Sequence, residues 1–126
     1  MISIAHGVDL IEIKRFDELN PAIRGRFLRR VFTQSELEEC SERSPSLAGK
    51  FAAKEAAAKA LGCGIGRVSW QELEILSDEQ GKPSLLLHGN AQAVAEELGW
   101  ISWSLSISHT SGLALASVTA LIEYPG

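Results

Sequence analysis

Apolar and polar residues alternate at both ends of the chain, which is typical of β-strands whose two faces meet different surroundings. The first such strand is predicted over residues 2–13. One face of it carries small residues and a carboxylate: Ser3, Ala5, Gly7, Asp9 and Ile11. Residues 102–124 predict a hairpin that reverses at Ser111 and Gly112, because glycine allows the left-handed backbone of a tight turn.

Helical periodicity follows the first strand. Residues 15–30 are predicted to form a helix that breaks near Asn20 and Pro21, since proline cannot continue a helix from the preceding turn. Its inward side is predicted to carry six apolar residues: Phe16, Leu19, Ile23, Phe27, Leu28 and Val31. Thr33 and Glu36 have the spacing of a capping box, which predicts the start of a short helix.

A longer helix is predicted in the middle of the chain, with Ser44 as its N-cap, Pro45 in its first turn and Gly62 at its end. Five alanines fall on one side of it: Ala52, Ala53, Ala56, Ala57 and Ala60. The other side carries the charges: Lys50, Lys54, Glu55 and Lys59. The alanines allow another element to approach closely, and the charges are predicted to face a gap. From spacing alone, an ordinary surface helix is the simpler interpretation.

Two strands are predicted after this helix, over residues 68–76 and 83–87, with a turn at Gly81 between them. Asn90 is predicted to cap a last helix that Gly99 ends. Strands and helices are intermixed without regular βα alternation. This order favours one α+β domain over residues 1–126, with a mainly antiparallel sheet and packed helices.

Composition narrows the class of protein. The chain has 126 residues, 45% of them hydrophobic and 22% charged, which is typical of a globular domain with its own core. No apolar run reaches the roughly 20 residues of a membrane span, and no signal peptide is recognised. The two cysteines, Cys40 and Cys63, lack metal-ligand spacing and are predicted to be free thiols in a reducing cytoplasm.

Charge is unevenly distributed along the chain. The formal net charge is −4, which argues against a general nucleic-acid-binding protein. Residues 14–30 nevertheless hold six basic and two acidic side chains, so this segment carries +4. A basic segment on an acidic protein indicates either a specific acidic partner or a solvated helix face.

Asp9 and His109 are candidate functional residues at strand positions. A half-buried carboxylate on a strand needs a partner, and a lysine, a helix N-terminus or a metal ion would each serve. A histidine at the end of a strand is more often structural than catalytic. The sequence contains no P-loop, dinucleotide-binding or zinc-protease motif, so these classes gain no support.

Five sequence blocks, spread in order along the chain, resemble the 4′-phosphopantetheinyl transferases, in particular the small holo-acyl-carrier-protein synthase group: GVDLIEIKRF, FTQSEL, FAAKEAAAKALGCGIG, GKP and LSISHT. The resemblance implies the 4′-phosphopantetheinyl transferase fold. It also implies transfer of the 4′-phosphopantetheine arm of coenzyme A to a serine of apo-acyl carrier protein. Adenosine 3′,5′-bisphosphate is the implied by-product, and fatty acid biosynthesis the implied pathway.

The resemblance also implies roles for individual residues. Asp9 and Glu55 match the positions that bind Mg²⁺, and with Lys59 they form the implied catalytic set. Coenzyme A is expected to contact a larger set: Lys50, Lys54, Lys59, Gly81, Lys82, Pro83, His109 and Thr110. The family usually has arginine where Lys50 stands, which weakens the expected phosphate grip there. The proton acceptor stays open between Glu55 and a water bound to the metal.

The basic segment and the resemblance together predict the partner surface: Arg15, Arg24, Arg26 and Arg29. A domain this small offers a shallow site for coenzyme A, and the family precedent is a homotrimer with sites shared between subunits. Two other interpretations are a non-catalytic coenzyme A-binding protein and a module that docks on an acidic protein. Docking alone requires no metal-binding carboxylates, so Asp9 and Glu55 favour the transferase.

Overall fold

A computed structural model describes residues 1–124 and shows helices packed on two antiparallel sheets. In chain order the elements are β1 (Ile2–Glu12), α1 (Lys14–Asp17), α2 (Pro21–Val31), α3 (Gln34–Cys40), α4 (Ser44–Leu61), β2 (Leu73–Ser77), β3 (Pro83–Leu87), α5 (Gly89–Glu97), β4 (Trp100–Thr110) and β5 (Leu113–Glu123). One sheet has the strand order β1-β5-β4, and the other is the β2–β3 hairpin. The α+β prediction is confirmed.

Helix α4 lies at the centre of the domain and packs across the three-stranded sheet. Its alanine side is buried, as are the sheet residues Ala114, Ala116, Val118 and Ala120 that form the core with it. Small residues on both surfaces let helix and strand backbones come close together. The interpretation of α4 as an ordinary surface helix is therefore wrong.

The closest approach is at Gly7 of β1. A Cβ atom built on Gly7 would lie 2.0 Å from the carbonyl oxygen of Ala56. That oxygen belongs to the α4 backbone, so the contact can be relieved only by moving the helix away from the strand.

We expect Gly7→Ala to lower the free energy of unfolding by about 3 kcal/mol, because overpacking must displace backbone. The measurement is urea unfolding at constant pH. Gly25→Ala is the matched control, since its added Cβ would meet only the flexible guanidinium of Arg29, at 3.1 Å. Because alanine favours a helix over glycine, the control should unfold at an equal or higher urea concentration. Equal unfolding midpoints for Gly7→Ala and the wild type would contradict this packing.

Two predicted helix caps are wrong. Arg43 occupies the N-cap of α4, and Ser44 is the first residue of the helix, where its hydroxyl donates to Asp17 over 2.5 Å. Asn90 lies inside α5, and its backbone N–H donates a hydrogen bond to the carboxylate of Glu72 over 2.6 Å. Both helix starts are thus tied to distant segments, which local cap patterns do not reveal.

The predicted strand at residues 68–76 is shorter than expected, because Trp70–Glu72 form a 3₁₀ turn and the strand begins at Leu73. Ser69 starts this turn as the cap of a second capping box, in which Glu72 is the acidic partner. Ile23 was expected to face inward but is 45% exposed, so this prediction is also wrong.

Other predicted boundaries are confirmed. The helical segment breaks between α1 and α2, and Thr33 and Glu36 form both hydrogen bonds of a capping box. Ser111 and Gly112 reverse the chain with φ values of 46° and 79°, which fit a type I′ turn.

Both cysteines are free. No helix within residues 1–124 is long and apolar enough to cross a lipid bilayer.

Candidate active site

Asp9 and Lys59 meet where the last turn of α4 passes β1. The Lys59 Nζ atom donates to Oδ1 of Asp9 over 3.2 Å and to the carbonyl oxygen of Val8 over 3.0 Å. The side chain of Asp9 is 20% exposed and that of Lys59 is 55% exposed. This pair is therefore open to solvent on one side, unlike a closed core ion pair.

Glu55 lies one turn before Lys59 on the same side of α4 and is half-buried. Burial raises the pKa of its carboxyl, and the negative charge of Asp9 adds to that rise. Lys59 and Arg15 act in the opposite direction. The two carboxylates are thus close enough to repel each other, and a cation between them would relieve that repulsion.

The donors at this place fit Mg²⁺, which prefers oxygen ligands and typically takes one or two carboxylates together with phosphate and water. Within residues 1–124, no group of three or more His, Cys, Asp and Glu side chains is placed to hold a metal. Asp9 and Glu55 alone are insufficient for a closed protein site. A metal held here would keep positions for a phosphate ligand.

A separate cavity of about 280 Å³ opens between α3, α4 and the two sheets. Polar and apolar side chains share its wall: Glu39, Arg43, Ser46, Gly49, Lys50, Ile75, Ser77, Pro83, Ile107 and His109. Three residues predicted to contact coenzyme A, namely Lys50, Pro83 and His109, lie together here. The volume is at the lower end of the roughly 300–1,000 Å³ of small-molecule sites.

Asp9 and Glu55, which we call the carboxylate pair, lie on the opposite side of α4 from the cavity. Lys59 faces β1, whereas Lys50 faces α3 and β2, where it donates to Glu39 and to the carbonyl oxygen of Ile75. Nine residues separate the two lysines, which places them about 180° apart around the helix. The four charged residues of α4 therefore do not face one gap, contrary to the prediction.

Lys54 is not placed to contact a ligand, so this predicted role is wrong. Its side chain is 0% exposed, and its Nζ donates to the carbonyl oxygens of Trp70 and Leu73 and to the carboxylate of Glu36. These three contacts use its three N–H groups. Burial lowers the pKa of Lys54, and the adjacent Glu36 opposes that shift.

His109, in the cavity wall, donates a hydrogen bond from Nε2 to the carbonyl oxygen of Pro45 over 2.9 Å. Three other predicted coenzyme A contacts lie outside that wall. Gly81 and Lys82 lie in the exposed β2–β3 turn, next to Pro83 but outside the cavity wall. Thr110 is exposed at the end of β4 and is also not part of that wall.

The predicted partner arginines are differently engaged. Arg15 is exposed and close enough to Glu55 to influence its pKa. Arg24 is half-buried, and its guanidinium donates to the carbonyl oxygen of Phe16 over 2.5 Å, which holds α2 against α1. Arg26 and Arg29 are exposed on α2. Arg15 thus lies nearest the carboxylate pair.

Two acidic residues of α3 were not predicted as part of the site. Glu39 lines the cavity and pairs with Lys50 at 2.7 Å, while Glu36 pairs with Lys54 at 2.8 Å. Glu36 was assigned only to the capping box. The spacing in the sequence could have indicated this pairing, because two acidic residues one turn apart on α3 correspond to two lysines one turn apart on α4.

Comparison with known proteins shows the family and the fold that this chain shares. A family model described as the 4′-phosphopantetheinyl transferase superfamily matches residues 5–116. The holo-[acyl-carrier-protein] synthase of Herpetosiphon aurantiacus is 49% identical over 122 residues, covering 91% of this chain and 96% of that protein. That of Moorella thermoacetica is 45% identical over 120 residues, covering 93% and 91%.

A crystal structure of Helicobacter pylori holo-[acyl-carrier-protein] synthase in complex with coenzyme A has a TM-score of 0.83 and 34% sequence identity. The match covers 91% of this chain and 98% of that chain. The chain therefore belongs to the 4′-phosphopantetheinyl transferase superfamily. Within it, the resemblance to the holo-acyl-carrier-protein synthase group that five sequence blocks indicated is confirmed.

Proposed function

We propose that this chain transfers the 4′-phosphopantetheine arm of coenzyme A to a serine hydroxyl of apo-acyl carrier protein. The single observation that carries the proposal is the solvent-open group formed by Asp9, Glu55 and Lys59 on a fold shared with holo-[acyl-carrier-protein] synthases. Two carboxylates that can hold a divalent cation, beside a lysine, suit a reaction in which a pyrophosphate must be held and its charge neutralised.

The reaction breaks one P–O bond of the pyrophosphate and the O–H bond of the serine, and it forms a P–O bond to the serine oxygen. Adenosine 3′,5′-bisphosphate and the serine proton are released. Negative charge develops on the phosphoryl oxygens and on the leaving phosphate, so catalysis depends mainly on positioning and electrostatic stabilisation. Lys59 offers a positive charge at the edge of this site. Its bonds to Asp9 and to the carbonyl oxygen of Val8 hold the ammonium group beside β1.

Asp9 and Glu55 are the residues that would hold Mg²⁺. When bound, the ion would neutralise phosphate charge and orient the pyrophosphate. Lys50, Pro83 and His109 are proposed to contact coenzyme A in the cavity, with Gly81, Lys82 and Thr110 at its rim. The support for this assignment is that Lys50 keeps one N–H beyond its two bonds and lines the cavity wall.

Chromatography tests this proposal through the by-product. Incubating the protein with coenzyme A, Mg²⁺ and apo-acyl carrier protein should release adenosine 3′,5′-bisphosphate only when the carrier is present. Coenzyme A that binds without release would indicate a non-catalytic binding protein. Carrier binding without any effect on coenzyme A would indicate a docking module.

A homotrimer with shared sites is the proposed assembly. Within one subunit α4 separates the carboxylate pair from the cavity, whereas a single coenzyme A must reach both. A neighbouring subunit can supply the second half of the site. An exposed apolar surface suited to such contact lies on the outer face of β1: Ile2, Ile4, Val8 and Leu10.

Ile4→Asp should convert the assembly to monomers and reduce transfer at least tenfold, because a buried charge would oppose subunit contact. Ile4 is 67% exposed in the isolated subunit, so the substitution should not unfold it. Sedimentation equilibrium gives the mass. A wild-type protein that is monomeric and fully active would contradict the shared site.

The acidic partner is proposed to dock on the basic segment, with Arg15 nearest the site and Arg26 and Arg29 on α2 as helpers. Acyl carrier proteins are acidic, and this chain carries a net charge of −4. A local basic face lets two negatively charged proteins associate in one orientation.

Arg15→Glu should raise the apparent KM for carrier protein about tenfold and leave the KM for coenzyme A within twofold. Raising the salt concentration should weaken the wild type more than the variant, since exposed pairs are screened within about 10 Å at 0.1 M. Arg30→Glu is the control, with the same charge change beside the Gly66–Trp70 segment. Equal effects of both variants on carrier KM would mean that the segment acts only through its total charge.

A cytoplasmic location is proposed as well. Its support is the pair of free cysteines, which is typical of a reducing compartment. Burial raises the pKa of the Cys40 thiol to about 11, so this residue is protected from oxidation in its folded state.

A further inference from the structure

In the part of the chain that the structure describes, one edge of β2 is not paired with another strand. Side chains of α3 and α4 form hydrogen bonds with the backbone groups along this edge. Within residues 1–124, β2 pairs only with β3, and its alternate residues Leu73, Ile75 and Ser77 direct backbone groups toward α3 and α4. Lysines donate to the carbonyl oxygens of Leu73 and Ile75. Carboxylates accept from the N–H groups of Ile75 and Ser77. This arrangement satisfies an edge that would otherwise be open to another chain.

Two acid–lysine pairs make these bonds, and we call them the acid–lysine ladder: Glu36–Lys54 and Glu39–Lys50. The acids are one turn apart on α3, and the lysines are one turn apart on α4. The Glu36–Lys54 pair is completely buried. The Glu39–Lys50 pair reaches the cavity wall, with 33% of the Glu39 side chain exposed. The ladder thus connects the core to the cavity.

Glu39 has several partners that hold it in one orientation. Its carboxylate accepts from Nζ of Lys50 at 2.7 Å and from both the N–H and the hydroxyl of Ser77. Burial opposes its ionisation, but the bonds from Lys50 and Ser77 outweigh burial and lower its pKa. Glu39 is therefore negatively charged at neutral pH.

A carboxylate in this cavity is unexpected on electrostatic grounds, because coenzyme A carries several phosphate charges. Coulomb's law alone predicts that Glu39 repels such a ligand. The bonds of Glu39 suggest a different role. Its carboxylate accepts a hydrogen bond from one N–H group of Lys50, and the carbonyl oxygen of Ile75 accepts from a second. The third N–H group of Lys50 can therefore donate to a ligand in the cavity.

We propose that Glu39 is a positioning residue for coenzyme A. It fixes the direction of the Lys50 ammonium group and, through Ser77, the distance between α3 and the β2–β3 side of the cavity. The identity of the ligand rests on the proposed function. The ladder itself does not, because its bonds are present without a ligand.

Glu39→Gln tests the proposal, since glutamine keeps the shape but loses the charge. We expect calorimetry to show coenzyme A binding about tenfold more weakly than in the wild type. The KM for coenzyme A should rise similarly, with kcat within twofold. In the free protein, amide hydrogen exchange at Ser77 should be about tenfold faster. Glu38→Gln, on the exposed side of the same helix, is the matched control and should change none of these quantities.

The sign of the binding change separates positioning from plain charge repulsion. Removing a repulsive charge would tighten coenzyme A binding, so tighter or unchanged binding by Glu39→Gln would overturn the proposal. A wild-type protein that does not bind coenzyme A would instead contradict the proposed function. The exchange measurement then still tests whether Glu39 holds Ser77 in place. Unaltered amide exchange at Ser77 in Glu39→Gln overturns that role, and faster exchange supports it.

Discussion

Glu55→Gln should reduce transfer about 1,000-fold and leave the fold intact. Losing one of two carboxylates at the proposed metal site removes several kcal/mol of charge stabilisation, and about 4 kcal/mol corresponds to a factor of 1,000. Asp9→Asn should have a similar effect. Glu55 is half-buried beside a second carboxylate, so glutamine relieves repulsion and should not lower thermal stability. The measurement is the initial rate of transfer at saturating coenzyme A and carrier protein.

Glu12→Gln is the control for this pair, because Glu12 lies on the same strand as Asp9 but is exposed and pairs only loosely with Lys14 at 3.5 Å. Its rate should stay within twofold of the wild type. Excess chelator should reproduce the loss, and added Mg²⁺ should reverse it. Full activity of Glu55→Gln, or of the wild type in chelator, would remove this metal site from the mechanism.

Lys54→Met should destabilise the protein by about 3–5 kcal/mol, because it leaves Glu36 charged and unpaired in the core. The carbonyl oxygens of Trp70 and Leu73 also lose their donor. The expected fall in the thermal midpoint is about 10 °C or more. Differential scanning calorimetry at pH 7 measures both quantities.

The double variant Lys54→Met, Glu36→Leu should recover part of this loss, since it removes the unpaired charge together with its partner. Lys14→Met provides the control, because the exposed Lys14–Glu12 pair is worth little. A small effect of Lys54→Met, comparable with that of Lys14→Met, would mean that the core pair is neither dry nor important for stability.

Local patterns were sufficient for much of the fold. The alternation of β1, the break at Pro21, the capping box at Thr33 and the turn at Gly112 each depend on a few neighbouring residues, and all appear in the structure. The alanine side of α4 correctly indicated close packing. The family resemblance then supplied what periodicity does not contain, namely the class of reaction.

Long-range contacts account for the errors. The carboxylate of Glu72, and not the side chain of Asn90, accepts a hydrogen bond from the backbone at the start of α5. The sequence pattern of a helix does not indicate such a distant partner. Lys50 and Lys54 were grouped with Glu55 as one charged side of α4, yet α3 and β2 cover the two lysines. Burial of charges depends on which elements pack around a helix, and this is decided by the tertiary fold.

Intact-mass spectrometry of the carrier protein tests the central claim most directly. Apo-acyl carrier protein incubated with this protein, coenzyme A and Mg²⁺ should gain the mass of one phosphopantetheine arm. The gain should disappear when the carrier's acceptor serine is replaced by alanine, or when Glu55→Gln replaces the wild type. An unchanged carrier mass, with active wild-type protein that binds coenzyme A, would contradict the account.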